Sequence, residues 1–127
     1  MFKTRLFHMV FTTKYRTNTL DKERIIFLRS YFGACINEHG FELLACNGYE
    51  NHIHLLLRAD QFGDIPKLIG LLKGGASYKY NSLNEGRPRL RWGVKYYCRM
   101  VPLWRMNQLI HYIENQQNHH GGFNPMA

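Results

Sequence analysis

The sequence predicts an α+β domain: four strands in one antiparallel sheet, two helices packed on it, and an additional C-terminal helix. Three observations carry that prediction. Strand-like and helix-like periods alternate along the chain, short polar breaks separate them, and a hydrophobic content of 45% is ample for one core. At 127 residues, with no repeat, linker or low-complexity stretch, the chain reads as one domain over residues 1–127.

Residues 3–13 alternate in places and are rich in Phe, Val and Thr, which predicts the first strand. Asp21 caps a helix in which Ile25, Leu28 and Phe32 recur at helical spacing, and His39-Gly40 closes it. Phe41 to Tyr49 is the second strand, with a bulge or turn expected at Asn47-Gly48. His52 to Ala59 is a third, strongly apolar strand, close enough to the second to imply a hairpin. Asp64 caps the next helix, whose buried stripe is Ile65, Leu68, Ile69 and Leu72 and which Gly74-Gly75 is expected to break. Asn84 to Pro88 is a polar loop, and Val94 to Val101 is the fourth strand. A final helix runs from about Leu103 to His120, ended by Gly121-Gly122. Without that last helix, the order is the split βαβ pattern of ferredoxin-like and RRM-like domains. Such folds carry many unrelated activities, so function has to come from a site.

Seventeen Lys and Arg against nine acidic residues leave a formal charge of +8, which favours a polyanionic partner. The cations are grouped: Lys3, Arg5, Lys14 and Arg16 flank the first apolar stretch, and Arg87, Arg89, Arg91 and Lys95 surround Trp92. Tyr78, Tyr80, Trp92, Tyr96 and Tyr97 sit among them, a mixture that suits single-stranded nucleic acid. Cys35, Cys46 and Cys98 lack disulfide or zinc-finger spacing and read as buried thiols in a reducing compartment. Gly70, Gly74 and Gly75 lack the spacing of a phosphate-binding loop, and no apolar run reaches the length of a membrane span. The expectation is a soluble, cytoplasmic protein.

Two constellations could carry chemistry. In His52-Ile53-His54 the period of a strand sends both imidazoles to one face and Ile53, Leu55 and Leu57 to the other, and paired imidazoles suit a divalent metal. On the last helix, Met106, Leu109, Ile110 and Ile113 form the apolar stripe. Tyr112 and Gln116, one turn apart, lie on a flank with Arg105, Gln108 and His119. Either constellation alone is a common surface feature, and they make a site only where that flank faces the histidines. A zinc site of His52 and His54 with His119-His120 is a further arrangement, and His8 is a core residue or a support for a ligand.

The chain resembles the single-tyrosine transposases of the His-hydrophobic-His (HUH) superfamily, which move insertion sequences as single-stranded DNA. The likeness runs through His8-Met9-Val10-Phe11-Thr12-Thr13-Lys14-Tyr15-Arg16, Asn51-His52-Ile53-His54-Leu55-Leu56-Leu57 and Leu72-Lys73-Gly74. It continues through Trp92-Gly93-Val94-Lys95-Tyr96-Tyr97 and Tyr112-Ile113-Glu114-Asn115-Gln116. Val101-Pro102-Leu103-Trp104 departs from the pattern and leaves open where the catalytic helix starts.

The resemblance implies Tyr112 as nucleophile and His52, His54 and Gln116 as ligands of Mg²⁺ or Mn²⁺. It further implies cleavage and rejoining of single-stranded DNA at hairpin-flanked ends through a 5′-phosphotyrosine. The family works as a homodimer, often with the tyrosine of one subunit serving the other's metal site. Lys14, Arg16, Lys73, Arg89, Arg91 and Arg105 are the candidate nucleic-acid contacts. The alternatives are a non-catalytic hairpin-binding module, a domesticated nuclease that processes repeated palindromes, and a metal-dependent ribonuclease.

Overall fold

A computed structural model describes residues 4–59 and 63–118. Strands β1 (Arg5–Thr13), β2 (Phe41–Tyr49), β3 (His52–Ala59) and β4 (Trp92–Val101) form one sheet in the order β2-β3-β1-β4, every neighbouring pair antiparallel. Helices α1 (Lys22–Glu38) and α2 (Ile65–Leu83) cover one face, and a shorter α3 (Met106–Glu114) lies on the other.

The period of two along each strand decides what each face holds. Toward α1 and α2 point Met9, Phe11, Ile53, Leu55 and Leu57, meeting Leu28, Phe32 and Ile36 of α1 and Leu68, Leu72 and Ala76 of α2. Toward α3 point Leu6, Ala45 and Leu56, meeting Leu109 and Ile113. Strand β3 is therefore buried on both faces, which explains its near-continuous hydrophobicity. The caps are as the sequence predicts: Asp21 accepts from the Arg24 amide and Asp64 from the Lys67 amide.

Three local expectations are corrected. Helix α2 is continuous through Gly74-Gly75, because α1 packs against it there and a Cβ on Gly75 would run into the Tyr31 hydroxyl. Asn47 and Gly48 pair regularly with His54 and Ile53, and the β2 irregularity falls between Leu43 and Ala45. Gly48 serves close approach: a Cβ there would collide with the His52 carbonyl and come within 3.0 Å of the Ile53 Cα.

The last helix is the third correction. Leu103–Arg105 and Gln116–Asn118 are 3₁₀ turns flanking nine residues of α-helix. Pro102 fixes an extended entry at φ −61° and ψ 143°. At the other end the Asn115 side chain donates to the His111 carbonyl at 2.8 Å and competes with the helix for that acceptor. Strand β4 begins at Trp92, two residues before the expected Val94. All three cysteines are free, Cys46 buried and Cys35 and Cys98 partly so. Among the described residues no helix is long and apolar enough to cross a membrane.

Candidate metal centre and nucleophile

His52 and His54 project from the α3 face of β3 with ring centroids 5.2 Å apart and near-perpendicular planes. His54 is 1% exposed. The β1–β3 register pairs Val10 with His54 and His8 with Leu56, so His8 falls on the same face, one step along the neighbouring strand. Its Nε2 lies 3.0 Å from His54 Nδ1, the two rings stack at 5.2 Å, and Tyr97 of β4 meets His8 edge-on at 5.5 Å. Burial, reinforced by the neighbouring imidazoles of His8 and His52, lowers the His54 pKa to about 2. Burial, with the nearby Arg105 charge, lowers that of His8 to about 4. Both rings are thus neutral at physiological pH, the state in which imidazole binds a metal.

Helix α3 docks through Leu109 and Ile113, and this docking brings Tyr112 edge-on to His54, with centroids 5.7 Å apart and an interplanar angle of 86°. One turn on, Gln116 is 3% exposed. Its Nε2 donates to the Tyr112 carbonyl at 3.3 Å, and its Oε1 lies 3.2 Å from His52 Nε2. Asn47 and Gln117 hold this end of the chain on β2. Each side-chain amide donates to the other's oxygen, at 3.1 and 3.0 Å, while Asn47 also donates to Glu114 O and Gln117 to Gly48 O.

The donor set fits a divalent cation. His52 Nδ1 lies 3.0 Å from Asn51 Oδ1, an acceptor, so a neutral ring keeps its proton on that side. Its Nε2 lone pair then faces the Gln116 oxygen. Their 3.2 Å separation is close to the ~3.0 Å between adjacent ligands of an octahedral ion with bonds of ~2.1 Å. His54 commits Nδ1 to His8, so Nε2 is the nitrogen it has to offer. Among the described residues no three His, Cys, Asp or Glu form a metal-binding group, and the Gln116 amide oxygen is the donor that stands beside the two imidazoles.

One chain therefore brings His52, His54, Tyr112 and Gln116 together. It leaves Gln116 buried, not on the exposed polar flank that the helical wheel suggests. Of the supports, His8 behind His54 is one of the two roles the sequence leaves open for it, whereas Asn51 behind His52 and the Asn47–Gln117 pair behind Gln116 were missed. The dipeptide Asn51-His52 is visible in the sequence, whereas the partner of His54 needs the β1–β3 register and the Asn47–Gln117 pair needs the docking of the C-terminal turn on β2. His119 and His120, which the zinc alternative requires, lie outside the described residues.

The predicted basic contacts divide. Lys14 and Arg16 are exposed on the tight turn after β1, and Arg89 and Arg91 are exposed on the approach to β4. Arg105 is partly buried, near enough to His8 to depress its protonation. The Lys73 ammonium donates to Gly93 O at 2.7 Å and Val94 O at 3.4 Å, tying α2 to the start of β4. A separate cleft of about 740 Å³, lined in part by Leu20, Ile25, Ile26 and Tyr49, lies beyond Asn47 and Gln117 and includes none of the four site residues.

The sequence matches the profile of the family described as "Transposase IS200 like" over residues 2–116, a span that includes all four. Among solved structures, a chain from Deinococcus radiodurans R1 assigned as a transposase superposes with a TM-score of 0.71 at 26% identity, over 91% of this chain and 93% of that one. A REP-associated tyrosine transposase bound to a REP hairpin superposes with a TM-score of 0.68 at 15% identity, over 97% of this chain and 72% of the other. That second likeness speaks for the fold. No curated protein matches the sequence.

Proposed function

The chain belongs to the IS200-like transposase family, and from its site we propose that it cuts and rejoins single-stranded DNA, with Tyr112 as nucleophile. His52, His54 and Gln116 would hold Mg²⁺ or Mn²⁺. The single observation that carries this reading is convergence: the phenol ring beside His54, and the Gln116 oxygen 3.2 Å from His52 Nε2, all from one chain.

Each residue then has a physical task. The Tyr112 oxygen attacks the scissile phosphorus, the bond from phosphorus to the 3′ oxygen breaks, and a 5′-phosphotyrosine and a free 3′-hydroxyl result. The phenolic proton is lost to solvent and the departing oxygen takes one up, so the step is proton-neutral. Attack by a 3′-hydroxyl on the phosphotyrosine reverses it and releases Tyr112, with no need for ATP. A bound divalent ion supplies Lewis-acid polarisation of the phosphate. His8 and Asn51 keep the imidazoles oriented, and the reciprocal Asn47–Gln117 amides fix the segment that carries Gln116.

A DNA hairpin is the proposed ligand, on the strength of the net charge of +8 and the fold shared with the hairpin-bound transposase. A homodimer is the proposed assembly, in which each chain can supply its own tyrosine. The deciding experiment incubates the protein with a labelled single-stranded DNA hairpin and Mn²⁺, followed by denaturing electrophoresis. The parent chain yields a slow-migrating covalent species, while Tyr112→Phe and His54→Ala do not. An adduct that persists in Tyr112→Phe, or a parent chain that binds the hairpin and never forms one, refutes the reading. The second outcome favours the non-catalytic binding module, and cleavage of an RNA hairpin without adduct favours the ribonuclease.

A further inference from the structure

The turn that follows β1 has a conformation and an exposure that the chemistry above does not use. Tyr15 and Arg16 both adopt left-handed backbone conformations, φ 58° and 52°. Side chains disfavour that region, and glycine or asparagine would occupy it at lower cost. Packing does not compensate, since Tyr15 is 86% exposed.

The turn is nevertheless firmly held. Thr13 Oγ1 donates to Thr17 O at 2.7 Å, Thr13 N to Asn51 O at 2.9 Å, and Lys14 N to Arg91 O at 3.0 Å. Lys14 Nζ sits 5.3 Å from the centre of the Tyr15 ring. The register pairs Thr12 with His52, so the turn lies at the same end of the sheet as the donor set. Asn51 spans the two: its Oδ1 is 3.0 Å from His52 Nδ1, and its Nδ2 is 3.5 Å from Arg16 O.

We propose that Tyr15 is a stacking platform for an unpaired base of the DNA strand, with Lys14, Arg16 and Arg91 as the cations for its flanking phosphates. A rigid, open aromatic face beside cations is what sequence-tolerant binding of single strands requires. Bases in a duplex are already stacked on their neighbours and have no face to offer. The strained turn aims the ring outward, and Asn51 fixes its position relative to the proposed metal ligands. The inference rests on the reading of the site as one that acts on single-stranded DNA.

The test measures binding in a Tyr112→Phe background, where no cleavage intervenes, by anisotropy of a labelled DNA hairpin carrying an unpaired tail. Tyr15→Ala weakens binding about 5- to 150-fold, the loss of one stacked base, while Tyr15→Phe and Tyr15→Trp stay within roughly threefold of the parent. A blunt duplex of the same length shows no difference among the variants. Tyr15→Gly separates function from structure: its Tm is at or above that of the parent, because glycine accepts the left-handed turn, yet its binding falls as far as that of Tyr15→Ala. Parent-like binding by Tyr15→Ala and Tyr15→Gly overturns the platform, and so does a Tm that falls together with binding. The two readings fail separately. Loss of binding in Tyr15→Ala without any adduct from the Tyr112 protein leaves the platform and removes the nucleophile. Adduct formation with undiminished Tyr15→Ala binding does the reverse.

Discussion

Acidification from pH 7.5 to 5 probes the buried imidazoles directly. An unfolded histidine takes up a proton near pH 6.5, whereas folded His8 and His54 refuse it until about pH 4 and about pH 2. Between those limits the unfolded chain binds more protons than the folded one. The stability held above pH 6.5 is therefore lost as the pH falls. At pH 5 each ring forgoes about 2 kcal/mol of protonation free energy, or about 4 kcal/mol for the pair. Neither folded ring binds appreciably there, so the hydrogen bond between them does not enter the sum. A loss of ~4 kcal/mol is a large share of the ~5–15 kcal/mol by which domains are stable. Urea unfolding followed by tryptophan fluorescence at pH 7.5, 6.5, 5.8 and 5.0 measures it, in a window where most carboxylates stay ionised. A double variant, His8→Gln with His54→Gln, should flatten the dependence. A parent that loses less than ~1 kcal/mol over this range, or a double variant that keeps the full slope, contradicts two buried neutral rings.

Two further outcomes follow from particular contacts. Removing the ring behind His54 in His8→Ala should weaken Mn²⁺ binding, measured by calorimetry, by about 10- to 100-fold, with His8→Gln closer to the parent. Equal affinities in parent and His8→Ala would show that the 3.0 Å contact does not orient the ligand. Gly48→Ala forces a methyl group against the His52 carbonyl and the Ile53 backbone, neither of which can swing aside. A loss of about 1–3 kcal/mol in chemical denaturation is expected, and an unchanged midpoint would contradict the tight β2–β3 approach.

The readable parts of this protein were those fixed by local periodicity. The bounds of β2 and β3, and the shared face of His52 and His54, follow from a period of two and from turns placed on either side. The apolar stripe of Leu109 and Ile113 on α3 follows from the helical repeat. What the sequence hid depends on distant segments. The partner of His54 is His8, 46 residues away, and only the β1–β3 register makes them neighbours. Gln116 is an expected ligand, and only its burial was hidden, for a different reason. A wheel drawn at 100° per residue places it on a polar flank, but the α-helix ends at Glu114 and a 3₁₀ turn begins at Gln116, which winds more tightly and turns the amide inward. At Gly74-Gly75 the low helix propensity of glycine is overridden by the packing of α1 against α2.

The cover over the sheet is lopsided. Helix α3 is seated mainly on β2 and β3, with Leu6 of β1 and Val101 of β4 at its margin, and on β4 the exposed Arg99 stands across from the buried His8. The rings of His8 and His54 consequently lie enclosed, and His52 is the histidine of the three that keeps partial exposure. On the proposed chemistry, a strand meets the site first at the partly exposed His52 and Tyr112, while the two enclosed rings stay out of its reach.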